Sequence, residues 1–505
     1  MSSTPEAYIV VGLGYGDEGK GSITDALTRV YKAKHVIRYN GGPQAAHHVV
    51  TDEGQLHCFA QLTSGTFTEE VRSLLGPEML INPLNMLEEA RVLEEEGVKD
   101  PLSRVYIDPA CLVVTPYHRQ INRMKESLRG TSRHGSCGQG VGQAWMDAQK
   151  EGYPVLRFED LFDKERCRQL LKWIWMMKID LAEQWLDLHP EREDLRESLH
   201  QLQYALPYEV LCKQYLDFAY HSGVHKADVA SDLSVHHNHQ TLIFEGAQGV
   251  LLDRERGFWP HVTPSDTTAG EAHKILERAE LPHTPHVLGI LRGYASRHGA
   301  GPFVSEVFGL EQALPEQHNG TNRWQGDFRV GWFDLVKARY ALKVAKEVNS
   351  IALTQLDRLA MLEHFEVCTA YEYTGFVDEA LHRFFDVEET EGRVLIHDIL
   401  VPPKADRSHQ EELTRRLRDC SPITKTFESW PTQERIESLC PSLETFISFL
   451  ESPEGLQTPI SILSFGPTAE DKYFLQDLRP TTEVLLSSVW SSPTKDVRIA
   501  NNACT

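Results

Sequence analysis

The sequence predicts an α/β fold with a large, mostly parallel and twisted central sheet flanked by helices, and two observations predict it. Short apolar runs typical of buried strands recur along the chain, with helical patterns between them. These runs lie at 7–12, 35–39, 105–114, 241–245, 286–291, 350–354 and 459–464. Glycine-rich segments directly follow several of the runs, and ligands of open α/β sheets gather at that end of the strands.

The elements follow in chain order from these patterns. The apolar run at 7–11 predicts the first strand, and a helical pattern follows it from residue 23 to about 31. The acidic stretch 85–96 is typical of a solvated surface helix. Apolar residues near helical spacing predict the clearest helix at 159–187.

The chain shows no internal repeat and no low-complexity linker, which favours one elaborated domain over separate modules. We expect this domain to span residues 1–487, with a C-terminal tail at 488–505. The polar stretches at about 188–240 and 376–435 show few strand signals. They are predicted to be peripheral helical insertions.

The composition excludes several classes of protein. The chain has 505 residues, of which 25% are charged, and a formal net charge of −22. This acidic balance argues against broad nucleic-acid binding, whereas a few local Arg and Lys residues suffice for small phosphorylated substrates. No apolar stretch reaches the length of a membrane span, and no basic-then-apolar signal begins the sequence. We expect a cytoplasmic protein with no membrane or nucleic-acid partner.

The segment 12–22 carries the strongest functional signal. It reads Gly-Leu-Gly-Tyr-Gly-Asp-Glu-Gly-Lys-Gly-Ser, between a predicted strand and a predicted helix. Backbone N–H groups converge on an anion in such a loop. Residues 14–20 match the phosphate-binding pattern G-x-x-x-x-G-K, although Gly21 takes the place of the usual Ser or Thr, which moves to Ser22. Phosphate repels the carboxylate of Asp17 unless a cation lies beside it or it takes a proton from a substrate, so Asp17 indicates chemistry at this loop.

Two other interpretations of this loop are a dinucleotide-binding fingerprint, G-x-G-x-x-G, and a glycine-rich turn without a ligand. Dinucleotide binding requires an acidic residue at the end of the next strand, to hold a ribose. The next predicted strand ends in Asn40 instead. The pattern therefore favours phosphate transfer.

Six motifs, taken together and in this order, resemble the adenylosuccinate synthetase family. They lie at 16–21, 38–42, 244–249, 267–270, 299–303 and 331–334. The resemblance runs from about residue 8 to about residue 470 and implies a P-loop NTPase-like fold. It also implies a carbon–nitrogen ligase that joins L-aspartate to carbon 6 of inosine monophosphate (IMP) in purine nucleotide biosynthesis, using GTP and Mg²⁺.

The family chemistry phosphorylates the 6-oxygen of the purine and then lets an amine displace phosphate. By resemblance, Asp17 is the general base and a magnesium ligand, and the backbone of Ala46 is a second metal contact. His47 donates a hydrogen bond to the transferring phosphoryl group, and Lys20 supplies positive charge near the γ-phosphate. Gln248 completes the set of catalytic residues.

The resemblance also assigns residues around the two nucleotides and the amino acid. Those expected around GTP are Gly16, Glu18, Gly19, Lys20, Gly21, Ser22, Asp357, Ser464 and Gly466. Those expected around the acceptor nucleotide and aspartate are Asn40, Gln44, Ser136, Cys137, Thr263, His298, Thr321, Arg323 and Arg329. A carboxylate at Asp357 accepts hydrogen bonds from guanine and repels adenine N1, so GTP is expected over ATP. A homodimer is expected from the family.

The acceptor side departs from the family pattern. Cys137 replaces a phosphate-binding Thr and Gln139 replaces an Arg, while Glu151 stands where an Arg reaches the nucleotide phosphate of a neighbouring subunit. A Val before the 299–303 motif is His298 here. The loop at 319–329 corresponds to the family's aspartate-binding loop. It matches the family's arginines only if about two residues are inserted.

Three hypotheses remain open. The first is an authentic but divergent adenylosuccinate synthetase. The second is a paralogous ligase with the same phosphorylate-then-displace chemistry on another purine nucleotide or another amine, as the altered acceptor side indicates. The third is a non-catalytic nucleotide-binding scaffold, against which the presence of both Asp17 and His47 argues.

Overall fold

A computed structural model describes most of the chain. It covers residues 6–130, 135–236, 240–281, 284–316, 324, 326–432, 439–478 and the backbone of 498–499. In chain order the strands are β1 (Ala7–Gly12), β2 (His35–Arg38), β3 (His47–Val50), β4 (Leu56–Phe59), β5 (Arg72–Leu75), β6 (Leu80–Ile81), β7 (Val105–Ile107), β8 (Leu112–Val113), β9 (His225–Lys226), β10 (Leu242–Gly249), β11 (His286–Arg292), β12 (Ala295–His298), β13 (Phe328–Gly331), β14 (Phe333–Asp334), β15 (Ser350–Thr354), β16 (His364–Tyr373), β17 (Phe385–Thr390), β18 (Arg393–Ile399), β19 (Cys420–Glu428), β20 (Ile460–Ser464), β21 (Lys472–Phe474) and β22 (Arg498–Ile499).

The helices lie between these strands. In chain order they are α1 (Lys20–Val30), α2 (Pro83–Glu95), α3 (Pro116–Arg129), α4 (Val141–Ala148), α5 (Lys164–Leu188), α6 (Glu193–Tyr204), α7 (Tyr208–His221), α8 (Val229–His236), α9 (Gly270–Arg278), α10 (Leu310–Ala313), α11 (Leu335–Ala345), α12 (Leu356–Leu359), α13 (Arg407–Arg416) and α14 (Pro441–Glu451). Short 3-10 helices lie at Pro101–Arg104, Phe158–Phe162, Val250–Leu252, Leu381–Arg383, Leu417–Asp419 and Ala469–Asp471. No helix in the described part of the chain has both the length and the apolar character of a membrane span.

The main sheet confirms the predicted α/β fold. Within the described residues it has the strand order β22-β21-β20-β15-β11-β1-β10-β2-β5-β7-β9. Every pairing is parallel except that between β20 and β21. The central strand β1 is buried along its whole length. Its Ile9 and Val11 pack into one apolar cluster while Tyr8 and Val10 pack into another on the opposite face, as expected for a parallel strand covered on both sides.

The segment 376–435 corrects the sequence-based expectation. Instead of a helical insertion it contributes β17, β18 and β19, which pair with one another or with β16 in an antiparallel sheet, together with α13. Charged residues on the open faces of these strands hide the alternating pattern. In β17, for example, Phe385 is buried while Asp386 beside it is exposed.

The segment 188–240 is largely helical, as expected, and contains α6, α7 and α8. It is less peripheral than expected, because β9 extends the main sheet and Val229 and Leu233 of α8 pack into the main core. The long helix α5 begins at Lys164, a few residues later than expected, because Asp163 caps it by accepting a hydrogen bond from the Arg166 N–H at 2.9 Å. The predicted domain boundary at 487 stays a prediction.

Candidate active site

A cleft of about 1350 Å³ opens where the central parallel strands end at their carboxyl termini. The residues that follow β1, β10, β15 and β20 all contribute to its walls. The predicted site residues that line it are Gly16, Asp17, Glu18, Gly19, Lys20, Gly21, Ser22, Gln44, Ala46, His47, Ser136, Cys137, Gln248, Thr263, His298, Asp357, Ser464 and Gly466. The fold therefore brings most of the predicted residues to one place.

The glycine loop after β1 is hydrogen-bonded to the carboxylate of one of its own residues, Glu18. Oε1 of Glu18 accepts hydrogen bonds from the N–H groups of Gly14 at 3.0 Å and Gly16 at 2.7 Å, and its other oxygen pairs with Lys20. Gly19, at φ 91°, precedes α1 in the left-handed conformation and provides no side-chain cap. The first N–H groups of α1 are therefore the part of the loop best placed to bind a phosphate.

Asp17 is held in an unusual backbone conformation beside several cations. Its φ is 59°, in the left-handed region that a non-glycine residue rarely occupies. Nε2 of His298 lies 3.2 Å from Oδ2 of Asp17, and Arg292 donates to the Asp17 backbone carbonyl at 3.1 Å. Burial alone would raise the pKa of Asp17, but the hydrogen bond with His298 and the charges of His298, Arg292 and Lys20 outweigh it and lower the pKa. Asp17 is therefore ionised at neutral pH.

His47 is oriented by a buried carboxylate. Its Nδ1 lies 2.6 Å from Oε1 of Glu245, the last residue of the β10 segment that pairs with β2. Ser64 fixes the same carboxylate through its backbone N–H at 3.0 Å and through its hydroxyl. Burial lowers the pKa of His47, while contacts with His47 and Arg38 lower that of Glu245 against the opposing effect of burial. Both lowered pKa values fit a neutral His47 imidazole that donates its Nδ1–H to an ionised Glu245 carboxylate.

The cleft is also lined by the residues predicted to bind the nucleobase of GTP. Asp357 lies just after β15, and burial raises the pKa of its carboxyl. The loop after β20 is fixed by Lys472, whose Nζ donates to the carbonyls of Gly466 and Thr468, each at 2.7 Å. At the end of β15, the hydroxyl of Thr354 donates to the Glu18 carbonyl at 2.7 Å. The nucleobase end is thus joined directly to the glycine loop.

One face of α3 forms the acceptor wall of the cleft. Asn122, Lys125, Glu126 and Arg129 follow helical spacing, and all four line the cleft. The hydroxyl of Ser136 donates to Oδ1 of Asn122 at 2.9 Å, which holds the glycine loop before α4 against this face.

Two predicted substrate residues, Asn40 and Arg329, are not among the residues that line the cleft, and their assignment to substrate binding stays a prediction. The side chain of Asn40 is buried in a structural role: Oδ1 accepts from the Ala247 N–H and Nδ2 donates to the Asp266 carbonyl, each at 2.7 Å. The guanidinium of Arg329 pairs with Glu306, through Nε at 2.8 Å, and donates to the carbonyls of the 299–301 turn. Thr321 and Arg323 lie outside the described residues.

Three residues that line the cleft or hold its side chains were not singled out from the sequence. Glu245 lies within a recognised motif but reads as a strand residue, and Arg292 ends an apolar strand. The residues next to Lys125 in the sequence are polar, as they are in many surface helices, so nothing there marks Lys125 as part of a site. Only helical spacing relative to Asn122, combined with the position of the 135–140 loop, could have indicated that Lys125 faces the cleft.

The donors near Asp17 fit a magnesium ion bound mainly through a nucleotide. Within the described residues, no group of three or more His, Cys, Asp or Glu side chains is arranged to hold a metal. Mg²⁺ is commonly bound by one or two protein oxygens together with phosphates and waters. Asp17 and the exposed residue Ala46 both line the cleft, and the carboxylate of the first with the backbone of the second could provide such a set.

Comparisons with known proteins agree with this geometry. The family model described as adenylosuccinate synthetase matches residues 9–473. An adenylosuccinate synthetase of Prochlorococcus marinus (strain MIT 9211) is 30% identical over 484 residues, covering 93% of this chain and 96% of the relative. One of Gloeobacter violaceus is 31% identical over 485 residues, covering 93% of this chain and 96% of the relative.

Two solved structures share the fold. Fully ligated adenylosuccinate synthetase from Plasmodium falciparum superposes with a TM-score of 0.69 at 22% identity, covering 93% of this chain and 99% of the other. The cyanophage S-2L succinoaminodeoxyadenylate synthetase, bound to dGMP and dATP as an energy donor, gives a TM-score of 0.51 at 16% identity, covering 93% and 95%. The chain therefore belongs to the adenylosuccinate synthetase family, whose members are GTP-dependent carbon–nitrogen ligases of purine biosynthesis.

Proposed function

We propose that the protein joins L-aspartate to IMP to form adenylosuccinate, with GTP as the phosphoryl donor and Mg²⁺ as the metal cofactor. The observation that carries this proposal is an ionised Asp17 in the glycine loop, which lines the same cleft as the acceptor wall. A scaffold that only bound nucleotide would have no use for a carboxylate in that place. Family membership supports nucleotide and amino-acid substrates, and a homodimer is part of the proposal.

In the first step Asp17 removes the N1 proton of IMP, and the electron pair moves onto the 6-oxygen. This oxygen attacks the γ-phosphorus of GTP, and GDP leaves. Lys20 and the first N–H groups of α1 neutralise the phosphates. When bound, Mg²⁺ supplies further positive charge at the phosphates.

His47 donates a hydrogen bond to the transferring phosphoryl group. Because Nδ1–H is committed to Glu245, the ring orientation is fixed and Nε2 is the nitrogen left for the cleft. In the second step the aspartate amine attacks carbon 6, phosphate leaves with the former 6-oxygen, and the amine loses a proton. The acceptor oxygens of Gln248 and Gln44 are buried and have no hydrogen-bond donor among the described residues, so they suit polar groups of the substrates.

The second candidate is a paralogous ligase that acts on another purine nucleotide or another amine. Two contacts favour it: Arg329, expected to clamp aspartate, pairs with Glu306, and His298 places an imidazole next to Asp17. A cyanophage protein of the same fold is named for a different succinylated purine product and is bound to dGMP.

The test is product formation by the purified chain. Incubation with GTP, Mg²⁺, L-aspartate and IMP is expected to give adenylosuccinate, GDP and phosphate in equal amounts, measured by mass spectrometry and phosphate release. A matrix of IMP, GMP and dGMP against aspartate and other amines, with GTP or ATP, separates the two candidates. A product only from another pair supports the paralogue, and no product from any pair contradicts both ligases.

A further inference from the structure

Two basic residues that the family pattern places on the acceptor side of the cleft are replaced in this chain. Gln139 and Glu151 stand at the positions of these arginines, and neither carries a positive charge. A nucleoside monophosphate brings close to two negative charges into the cleft, and each charge-assisted hydrogen bond to it is stronger than a neutral one. A replacement cation on this wall would restore that interaction.

Most basic side chains near the wall are already committed. Arg129, which lines the cleft, pairs with the buried carboxylate of Glu126. Arg123 donates to a backbone carbonyl of the 135–140 loop at 3.3 Å and lies over the Trp324 ring. Lys150 is half exposed and lies 3.6 Å from a carboxylate oxygen of Asp147.

Lys125 differs from these residues. It is partly buried on the cleft-facing side of α3, one turn after Asn122, and it has no ion-pair or hydrogen-bond partner within the described ranges. Burial, together with the positive charges of Arg129 and Lys150, lowers the pKa of its ammonium group. A cation held in this way is stabilised by an anion that enters the cleft.

We propose that Lys125 binds the 5′-phosphate of the acceptor nucleotide, so that a single chain supplies the cation of this subsite. The inference rests on the proposed function, because it assumes that the acceptor is a purine nucleoside 5′-monophosphate. Lys125 extends from the helix against which Ser136 and the rest of the 135–140 loop are held, and Cys137 of that loop lines the same cleft. A lysine acts there as a flexible point charge and does not require the fixed geometry of an arginine fork.

The test compares nucleotides with their nucleosides by calorimetry, using IMP with inosine and GMP with guanosine. The change Lys125→Met is expected to weaken monophosphate binding by about 10- to 100-fold and to leave nucleoside binding unchanged. Lys125→Arg, which keeps the charge, is expected to recover most of the loss. The matched control Lys172→Met changes an exposed lysine of α5 outside the cleft and is expected to bind all four ligands as the wild type does. GTP affinity should be equal in every variant.

Two results would overturn the inference: equal monophosphate affinity in the wild type and Lys125→Met, or a wild type that binds no monophosphate more tightly than its nucleoside. The two proposals can also fail separately. If the wild type makes no adenylosuccinate but Lys125→Met still binds monophosphates more weakly than the wild type, the phosphate subsite is supported and only the proposed reaction is contradicted. The Lys125→Arg variant separates a charge effect from misfolding, because only a charge effect is rescued by arginine.

Discussion

At the scale of single residues, two pairs of a carboxylate and an imidazole organise the proposed chemistry, and the second of them is buried. One joins His298 to Asp17 and the other joins His47 to Glu245. The first fixes one carboxylate oxygen of the residue assigned as base. The second fixes the imidazole of His47, which is proposed to donate a hydrogen bond to the transferring phosphoryl group. Each of these side chains is therefore oriented before any substrate arrives.

The His47–Glu245 pair gives a direct prediction. Glu245→Gln removes the charge that orients the ring and is expected to lower kcat by roughly 100-fold, with a much smaller change in KM for GTP. The matched control is Glu96→Gln, which alters a carboxylate 3.2 Å from His57, outside the cleft. Steady-state kinetics of the two variants measures both effects, and equal kcat values in Glu245→Gln and wild type would contradict the assigned role.

Asp357 supports a second prediction about the phosphoryl donor. Replacing its carboxylate by an amide in Asp357→Asn removes an acceptor for guanine N–H groups and is expected to raise KM for GTP by about tenfold. KM for ATP should stay the same or fall. The nearby exposed Glu470→Gln serves as the control. An unchanged ratio of GTP to ATP efficiency in Asp357→Asn would show that another residue selects the base.

At the scale of elements, a buried polar cluster fixes the helices of the acceptor wall. Asp147 of α4 pairs with Lys178 of α5 and accepts from Gln143 at 3.0 Å, and His118 of α3 lies 3.5 Å away. Charged groups at this depth are stable only when they are paired. The cluster therefore ties α3, and with it Lys125, to α4 and α5.

This cluster predicts a pH-dependent stability. Burial lowers the pKa of His118 to about 3, below the unfolded value of 6.5, so its stabilising contribution is complete above pH 6.5 and declines as the pH falls toward 3. Between pH 7.5 and pH 5 the loss is about 2 kcal/mol. In His118→Gln the free energy of unfolding should fall less steeply over this interval, as measured by urea denaturation. The exposed His364→Gln is the control, and equal slopes in all three proteins would contradict the account.

The elements also show what a sequence pattern can and cannot predict. Continuous apolar runs such as β1 identified the central strands, because a parallel strand covered on both faces leaves no room for polar residues. The strand β17 was missed because one of its faces is charged and open. The partners of Arg329 and Arg129 were unpredictable for a different reason: an arginine pairs with whichever carboxylate the tertiary fold brings near it, here Glu306 and Glu126.

At the scale of the whole molecule, the site exists because strands far apart in sequence end at one edge of the main sheet. Asp17, His47, Asp357 and Ser464 come from separate parts of the chain and line a single cleft. Their convergence was predictable, because each follows or borders an expected strand of a parallel sheet. In this cleft we expect GTP to phosphorylate the purine oxygen before the amine displaces it.

Isotope transfer tests that claim most directly. The wild-type protein is given GTP, Mg²⁺, L-aspartate and IMP labelled with oxygen-18 at the 6-position, and the released phosphate is analysed by mass spectrometry. We expect the label to appear in the phosphate, in an amount equal to the adenylosuccinate formed. We expect Asp17→Asn to transfer none while still binding GTP. Unlabelled phosphate released together with adenylosuccinate would contradict it.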